Sequence, residues 1–236
     1  QITALTPAPG AAVLAAGDVD GDAEITATDA ARVLDHVVGR ATLDAAARRR
    51  ADVGGSVGVD AHDAALIGRL AAGQSLEDPA MLSRAHAAVV EWAEPVATED
   101  GLELPVRVPT ATSLSSWSLE LRGEGLADRL RDVTLAVEGQ SGLTWHADGD
   151  RIRVAFASPG PVTVESLLVR LRLTDGEPFD HTVIEGSARV DGREPIELGS
   201  QVLAAVPRVF TLGDNYPNPF NPQTRIEFGQ IGRAHV

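Results

Sequence analysis

Two stretches of this chain, 34 residues apart, share one frame of aspartates, apolar residues and glycine. Asp18-Val19 lies on Asp52-Val53, Gly21 on Gly55 and Ile25 on Val59. The same shift lays Asp29-Ala30-Ala31 on Asp63-Ala64-Ala65, Val33 on Ile67, and Gly39 on Gly73. Each copy reads as a polar loop, then a short apolar-striped helix, then a glycine of the kind that stops helices. A fixed period of this kind is the mark of a duplicated supersecondary unit. Residues 17–74 therefore form one unit of two loop–helix motifs, joined by a shorter helical pattern from Leu43 to Arg50.

The first loop runs Asp18-Val-Asp20-Gly-Asp22-Ala-Glu24-Ile-Thr26-Ala-Thr-Asp29. With Asp18 as position 1, carboxylates fall at 1, 3, 5 and 12, the Glu24 carbonyl at 7 and Thr26 at 9. An EF-hand-type loop of about 12 residues uses this spacing to wrap about six or seven oxygens around Ca²⁺, a hard cation suited to carboxylates. Ile25, at position 8, is expected to meet Val59 in a short strand contact. Ala23 replaces the usual glycine at position 6 and strains the tight turn. Asp29, at position 12, has a shorter reach than the usual glutamate. A solvated acidic loop capping a helix is the alternative, and repetition of the frame weighs against it. The second loop keeps Asp52, Asp60 and Asp63 at positions 1, 9 and 12, with Gly58 at 7, but has Gly54 and Ser56 at 3 and 5. It reads as a weak calcium site or a structural relic.

Charge narrows the function classes. There are 34 acidic and 20 basic residues, for a net charge of −14, which disfavours nucleic acid and an anionic membrane surface. All the basic residues are arginine. No apolar run approaches the roughly 20 residues of a spanning helix. The absence of cysteine excludes disulfides, thiolate metal sites and cysteine nucleophiles. The six histidines share no zinc spacing, and no Gly-x-Ser-x-Gly, Walker or dinucleotide motif is present, so no catalytic residue is assigned and the chain reads as a non-enzyme.

Residues 75–87 read as a linker after a short segment, 1–16, that precedes the duplicated unit. From about Ala88 the apolar period changes from that of a helix to the alternation of strands. Leu102, Leu104, Val106 and Val108 alternate with other positions; so do Trp117, Leu119 and Leu121, then Ile152, Val154 and Phe156, then Leu167, Val169, Leu171 and Leu173. Turn signals stand at 99–101, 148–150, 159–161, 175–176 and 191–192. The fold class expected is a small EF-hand-like helical unit followed, over 88–207, by an antiparallel β-sandwich of about eight or nine short strands. Trp92, Trp117 and Trp145 either fill its core, as their strand placement favours, or form a sugar-stacking platform. Residues 208–229 form a separate proline-rich segment. The last seven residues, 230–236, read as a translated sequencing adapter, and the chain opens at Gln1 with no signal peptide, so both ends read as incomplete.

The duplicated Asp-x-Asp-x-Asp frame, the aspartate at position 12 and the Ala-Ala-started helix ending in glycine resemble a type I dockerin domain. That resemblance implies paired calcium loops: Asp18, Asp20, Asp22, Glu24, Thr26 and Asp29 at the first site, and Asp52, Ser56, Gly58, Asp60 and Asp63 at a weaker second one. It implies helices that dock onto a cohesin in extracellular polysaccharide-degrading assemblies. The family's partner-reading positions fall on Ala27-Thr28 and Ala61-His62, and one turn further on Leu34-Asp35 and Gly68-Arg69. The copies differ in both sets, which argues for one dominant docking face, toward a cohesin-type sandwich in another chain or in the neighbouring domain. The β-region is similar to a cohesin-like jelly roll, with a generic immunoglobulin-like sandwich as the alternative. The segment Leu212 to Phe228, with its Asn215-Tyr-Pro-Asn-Pro-Phe-Asn-Pro core, resembles the opening of C-terminal sorting modules of secreted bacterial proteins. Together these imply a secreted or cell-surface, non-catalytic assembly module. Its rivals are the accessory tail of a glycoside hydrolase and a carbohydrate-binding sandwich, for which a polysaccharide would be the ligand.

Overall fold

The computed structural model describes residues 15–55, 58–76, 90–98, 101–137, 142–172, 182–203, 211–212 and 228–229. Ser56, residues 1–14, 77–89, 204–210 and 230–236, and most of the 208–229 segment, lie outside the described residues.

Three helices build the duplicated unit: α1 (Ala27–Val37), α2 (Ala45–Ala51) and α3 (Ala61–Ala71). Each starts where an oxygen-bearing side chain can accept from the free N–H groups of the first turn. Thr26 caps α1 and Asp60 caps α3, each in a reciprocal capping box with Asp29 or Asp63. Asp44 accepts from the Ala46 and Ala47 N–H groups at the head of α2, and these bonds hold its carboxyl below the ordinary value. Helices α1 and α3 pack on each other through Val33, Leu34, Ala64, Ala65 and Ile67, with Val19, Val38, Leu43, Ala47 and Ala51 completing a small apolar core. Ile25 and Val59 pack against that core; among the described residues they form no strand pair.

The strands are β1 (Glu91–Trp92), β2 (Val96–Thr98), β3 (Gly101–Arg122), β4 (Leu130–Val137), β5 (Gly142–Asp148), β6 (Arg151–Arg172), β7 (Thr182–Val190), β8 (Ile196–Leu203), β9 (Thr211–Leu212) and β10 (Phe228–Gly229). Strands β9 and β10 pair with each other, and the rest run in the order β4-β6-β3-β7-β8, with β5 also on β6, and β1 and β2 on β3. All these pairings are antiparallel.

Four separate short strands were expected where the chain makes two long ones. β3 and β6 run beside each other for 22 residues each, with register shifts between Arg107 and Thr112 and between Leu114 and Ser116. The Pro159-Gly-Pro161 signal, read as a turn, lies opposite the second irregularity and bends β6 without ending it, since proline is tolerated where the ladder is already broken. Beyond the bend the neighbours change: β4 flanks one half of β6 and β5 the other. Inward residues of both halves, Leu102, Leu104 and Val106 with Trp117, Leu119 and Leu121, join Phe156 and Val169 in one core. A continuous sheet brings both sets together only by folding over on itself, which makes the sandwich. Trp117 is core, 1% exposed, and Trp92 and Trp145 pack against it, as the alternation favoured.

The bulge at Ser115 has a specific support. Asp191, at the turn after β7, accepts through Oδ1 from the backbone N–H of Ser115 and of Ser116, each at 2.9 Å, and from both hydroxyls. That turn holds Asp191 at φ 45° and Gly192 at φ 66°, both left-handed.

Candidate functional site

The first loop brings Asp18, Asp20 and Asp22 together, with one carboxylate oxygen of each within 4.8 Å of the others. Asp18 is fully buried; its two oxygens accept from Gly21 N at 2.7 Å and Ala23 N at 3.1 Å, curling the loop around them. Asp20 and Asp22 each accept from the backbone two residues on. Such alternate Asx turns set successive side chains on the inside of the curve. Among the described ion pairs, Arg32 reaches Asp20 at 3.5 Å and is itself mostly exposed. Among the described residues the three carboxylates share that one ion-paired guanidinium, and Arg50 reaches only the backbone of the loop. An all-oxygen anionic donor set of this kind fits a hard divalent cation such as Ca²⁺.

Asp29 stands outside that triplet and is fully buried. Its Oδ1 accepts from Val19 N at 2.7 Å and Asp20 N at 3.1 Å, and its Oδ2 from Thr26 N at 2.9 Å. The Thr26 hydroxyl adds a longer bond to Oδ2 at 3.4 Å, and position 12 thus ties the start of the loop to the start of α1. Thr26 is the helix cap, and Glu24 is exposed. Ala23 sits at φ 75°, a left-handed conformation that a side chain disfavours, at the position where glycine was missed in the sequence. Spacing alone did not point to Arg50. From the end of α2 its guanidinium donates to the Asp18 carbonyl at 2.5 Å and the Val19 carbonyl at 3.1 Å, bracing the loop from behind.

The second loop keeps the frame and lacks the triplet. Asp63 repeats the role of Asp29, accepting from Val53 N at 3.0 Å, Gly54 N at 2.8 Å and Asp60 N at 2.9 Å. Burial pushes the Asp63 carboxyl above its usual range; the Asp60 and Gly54 N–H groups pull against this, and the Asp60 and Asp52 charges add to the rise. Asp60 caps α3 and reaches Arg189 of β7 at 3.5 Å. Asp52 Oδ1 is buried without a hydrogen-bond partner among the described residues, and Gly58 is exposed at φ 94°.

The residues expected to read a partner divide sharply. Ala27 and Thr28 are exposed, and Asp35 is half-buried beside Arg40 at 3.2 Å. Ala61 and Arg69 are buried, Leu34 is buried near Gly142 of β5, and His62 and Gly68 are half-buried. What covers the second set is the outer face of the folded sheet. Ala155 and Ala157, which point away from the sandwich core, belong to the apolar cluster of the helices. Arg69 donates to the Pro159 carbonyl at 3.1 Å and to the Ser75 carbonyl at 3.1 Å. Arg153 reaches the Val38 carbonyl at 3.4 Å, and Arg40 the Trp145 carbonyl at 2.6 Å. Arg153 is itself held by Glu120 at 3.4 Å. Burial opposes the Glu120 charge, but the hydrogen bond and charge of Arg122, then those of Arg153, hold its carboxyl below the ordinary value.

Residues 16–70 match the model of the dockerin type I domain. The match spans both loops, α1, α2 and α3 up to its penultimate residue. No curated protein matches the chain. Among solved structures, the fold is similar to a non-cellulosomal cohesin from the archaeon Archaeoglobus fulgidus, at 15% identity and TM-score 0.36, over 50% of this chain and 89% of that one. A type I cohesin–dockerin complex from Clostridium thermocellum matches at 14% and 0.30, over 48% and 90%. A collagen-binding domain from a Staphylococcus aureus adhesin matches at 14% and 0.31, over 49% and 95%. Among the described residues no helix is long and apolar enough to cross a membrane.

Proposed function

We propose that this chain is a non-catalytic, calcium-binding assembly module of the dockerin–cohesin type. The helical unit (17–74) binds the ion, and the sandwich (88–207) offers a cohesin-type surface. The observation that carries the reading is the meeting of the Asp18, Asp20 and Asp22 carboxylates inside the dockerin-matched stretch, with Asp29, Thr26 and the Glu24 carbonyl beside them in sequence. The second loop, with Asp52, Ser56, Gly58, Asp60 and Asp63, is a weak site: it has lost two central carboxylates, and Asp60 is engaged by α3 and by Arg189. Placement outside the cell, in polysaccharide breakdown or surface attachment, is the part of this reading supported by the dockerin likeness and by the resemblance of Asn215–Pro222 to a sorting segment.

A unit of under 60 residues without disulfides has little core, so bound metal supplies part of its folding free energy. At an ion concentration about 100 times Kd the gain is about 2.7 kcal/mol. Calorimetric titration of the full chain should show one clear calcium event that vanishes in Asp18→Ala, and chelator should lower the melting temperature of the helical signal. Two events of equal affinity, or a melt indifferent to chelator, would refute the proposal.

A further inference from the structure

We infer that the partner fitted by the second-repeat face of the helical unit is the β-sandwich of this same chain, so that the molecule closes on itself in one fixed orientation. The inference rests on the docking role proposed above, and is independent of calcium.

The sheet surface is the first argument. On the outward side of β6 and β3, where a solvated strand would carry long polar side chains, stand Ala155, Ala157, Ser116 and Ser118. Ala155 is 0% exposed although it points away from the sandwich core, because α1 and α3 lie over it. Small side chains allow helix and sheet backbones to approach closely, and Gly68 completes the fit. A Cβ at Gly68 would lie 3.4 Å from Pro159 Cγ, and one at Gly192 only 3.1 Å from the His62 Cβ.

The polar contacts are the second argument, because they join both units from both sides. Arg69 and Arg40 of the helical unit donate to carbonyls of β6 and β5, while Arg153 and Arg189 of the sandwich reach the Val38 carbonyl and the Asp60 carboxylate. These guanidiniums find acceptors on the other unit, and Arg153 and Arg69 are also braced from their own, by Glu120 and the Ser75 carbonyl.

The repeat fixes the orientation. Turning the helical unit about its pseudo-twofold would put Leu34 where Gly68 stands and Asp35 where Arg69 stands. A leucine side chain would then have to enter the space closed by Pro159. A carboxylate in place of Arg69 would set one acceptor against another, the Pro159 carbonyl, with no donor between them. Thr26 would replace Asp60 opposite Arg189 and leave that guanidinium without its carboxylate. The first-repeat residues Ala27 and Thr28, exposed here, are the pair this orientation leaves unused. Tethering the two surfaces in one chain gives them an effective concentration on the order of millimolar, so an outside cohesin must compete with an internal one.

The full chain carries the test, with a protease site introduced within residues 77–89. In calcium buffer the uncut protein is expected at the monomer mass, 24.7 kDa plus the inserted site. After cleavage the two halves should co-elute in size exclusion with light scattering. Gly68→Arg alters the helical unit and Ala157→Arg the sandwich, so a folding defect in one leaves the other to decide, with circular dichroism reporting on each. Both variants should separate into two species after cleavage. An uncut dimer, separation of the unsubstituted halves, or co-elution of either folded variant overturns the inference. Loss of calcium binding by halves that still co-elute would overturn the proposed function and leave the internal interface standing.

Discussion

Ala23→Gly should strengthen the first loop, and the size of the gain can be worked from the structure. Ala23 stands at φ 75°, where a Cβ crowds the carbonyl oxygen that follows it. For an L-residue this conformation costs about 1–2 kcal/mol. Glycine removes that cost but gives the unfolded chain more freedom, which takes back about 0.4–1 kcal/mol. The methyl group is exposed, so little burial is lost, and the Ala23 N–H bond to Asp18 Oδ2 at 3.1 Å is a backbone contact that glycine retains. Taking the middle of each range, the net gain is about 0.8 kcal/mol. If the loop takes this shape only around the ion, the gain appears in binding as about a two- to fivefold lower Kd for calcium. If it takes this shape in the free protein too, the gain appears in chelator-treated denaturant melts and the affinity is unchanged. Calorimetric titration and melts with and without chelator, run on the same two proteins, separate these cases. A variant that gains in neither assay, or weakens in both, would refute the idea that Ala23 is held against its preference.

Two further perturbations test the sandwich and its junction with the helices. Asp191→Ala leaves the Ser115 and Ser116 N–H groups at the bulge without their acceptor, at about 1–3 kcal/mol for each that stays buried. Asp191→Asn keeps an acceptor and tolerates the left-handed φ, so urea melts should show a clear loss for alanine and a small one for asparagine; equal losses would contradict this role. The folded carboxyl of Glu120 titrates below its ordinary value of 4.5, so its pairing stabilises the protein above that pH and fades as pH falls through the lowered folded value. Solvent screening keeps the effect under about 1 kcal/mol, and melts on either side of pH 4.5 should show the wild type losing its advantage over Glu120→Gln on acidification. An advantage that persists in acid would rule out the ion pair as its source.

The sequence was sufficient for the parts of this protein whose physics is local. Aspartates at alternate positions fold a loop inward through turns spanning two or three residues, so the Asp18, Asp20 and Asp22 cluster was visible in the spacing. The two repeat helices follow from the apolar stripe that ends in glycine, and the strand faces follow from alternation. Capping and calcium binding use the same residue types, so the sequence could not say that positions 9 and 12 serve the helix ends in both repeats. Tertiary structure decided what depends on distant partners. Arg50 braces the first loop from 32 residues away, a contact without any periodic trace. The merging of four expected strands into β3 and β6 came from pairing along their whole length, which outweighs proline and glycine signals that would end a strand in isolation. Nothing in the sequence singled out Ala155 and Ala157; only the helices lying over them turn that face into a buried junction. The difference between the two repeats was legible in their residues, but how each meets the sandwich lies in tertiary contacts: Gly68 and Arg69 against Pro159 from the second, Val38 and Arg40 with Arg153 and Trp145 from the first.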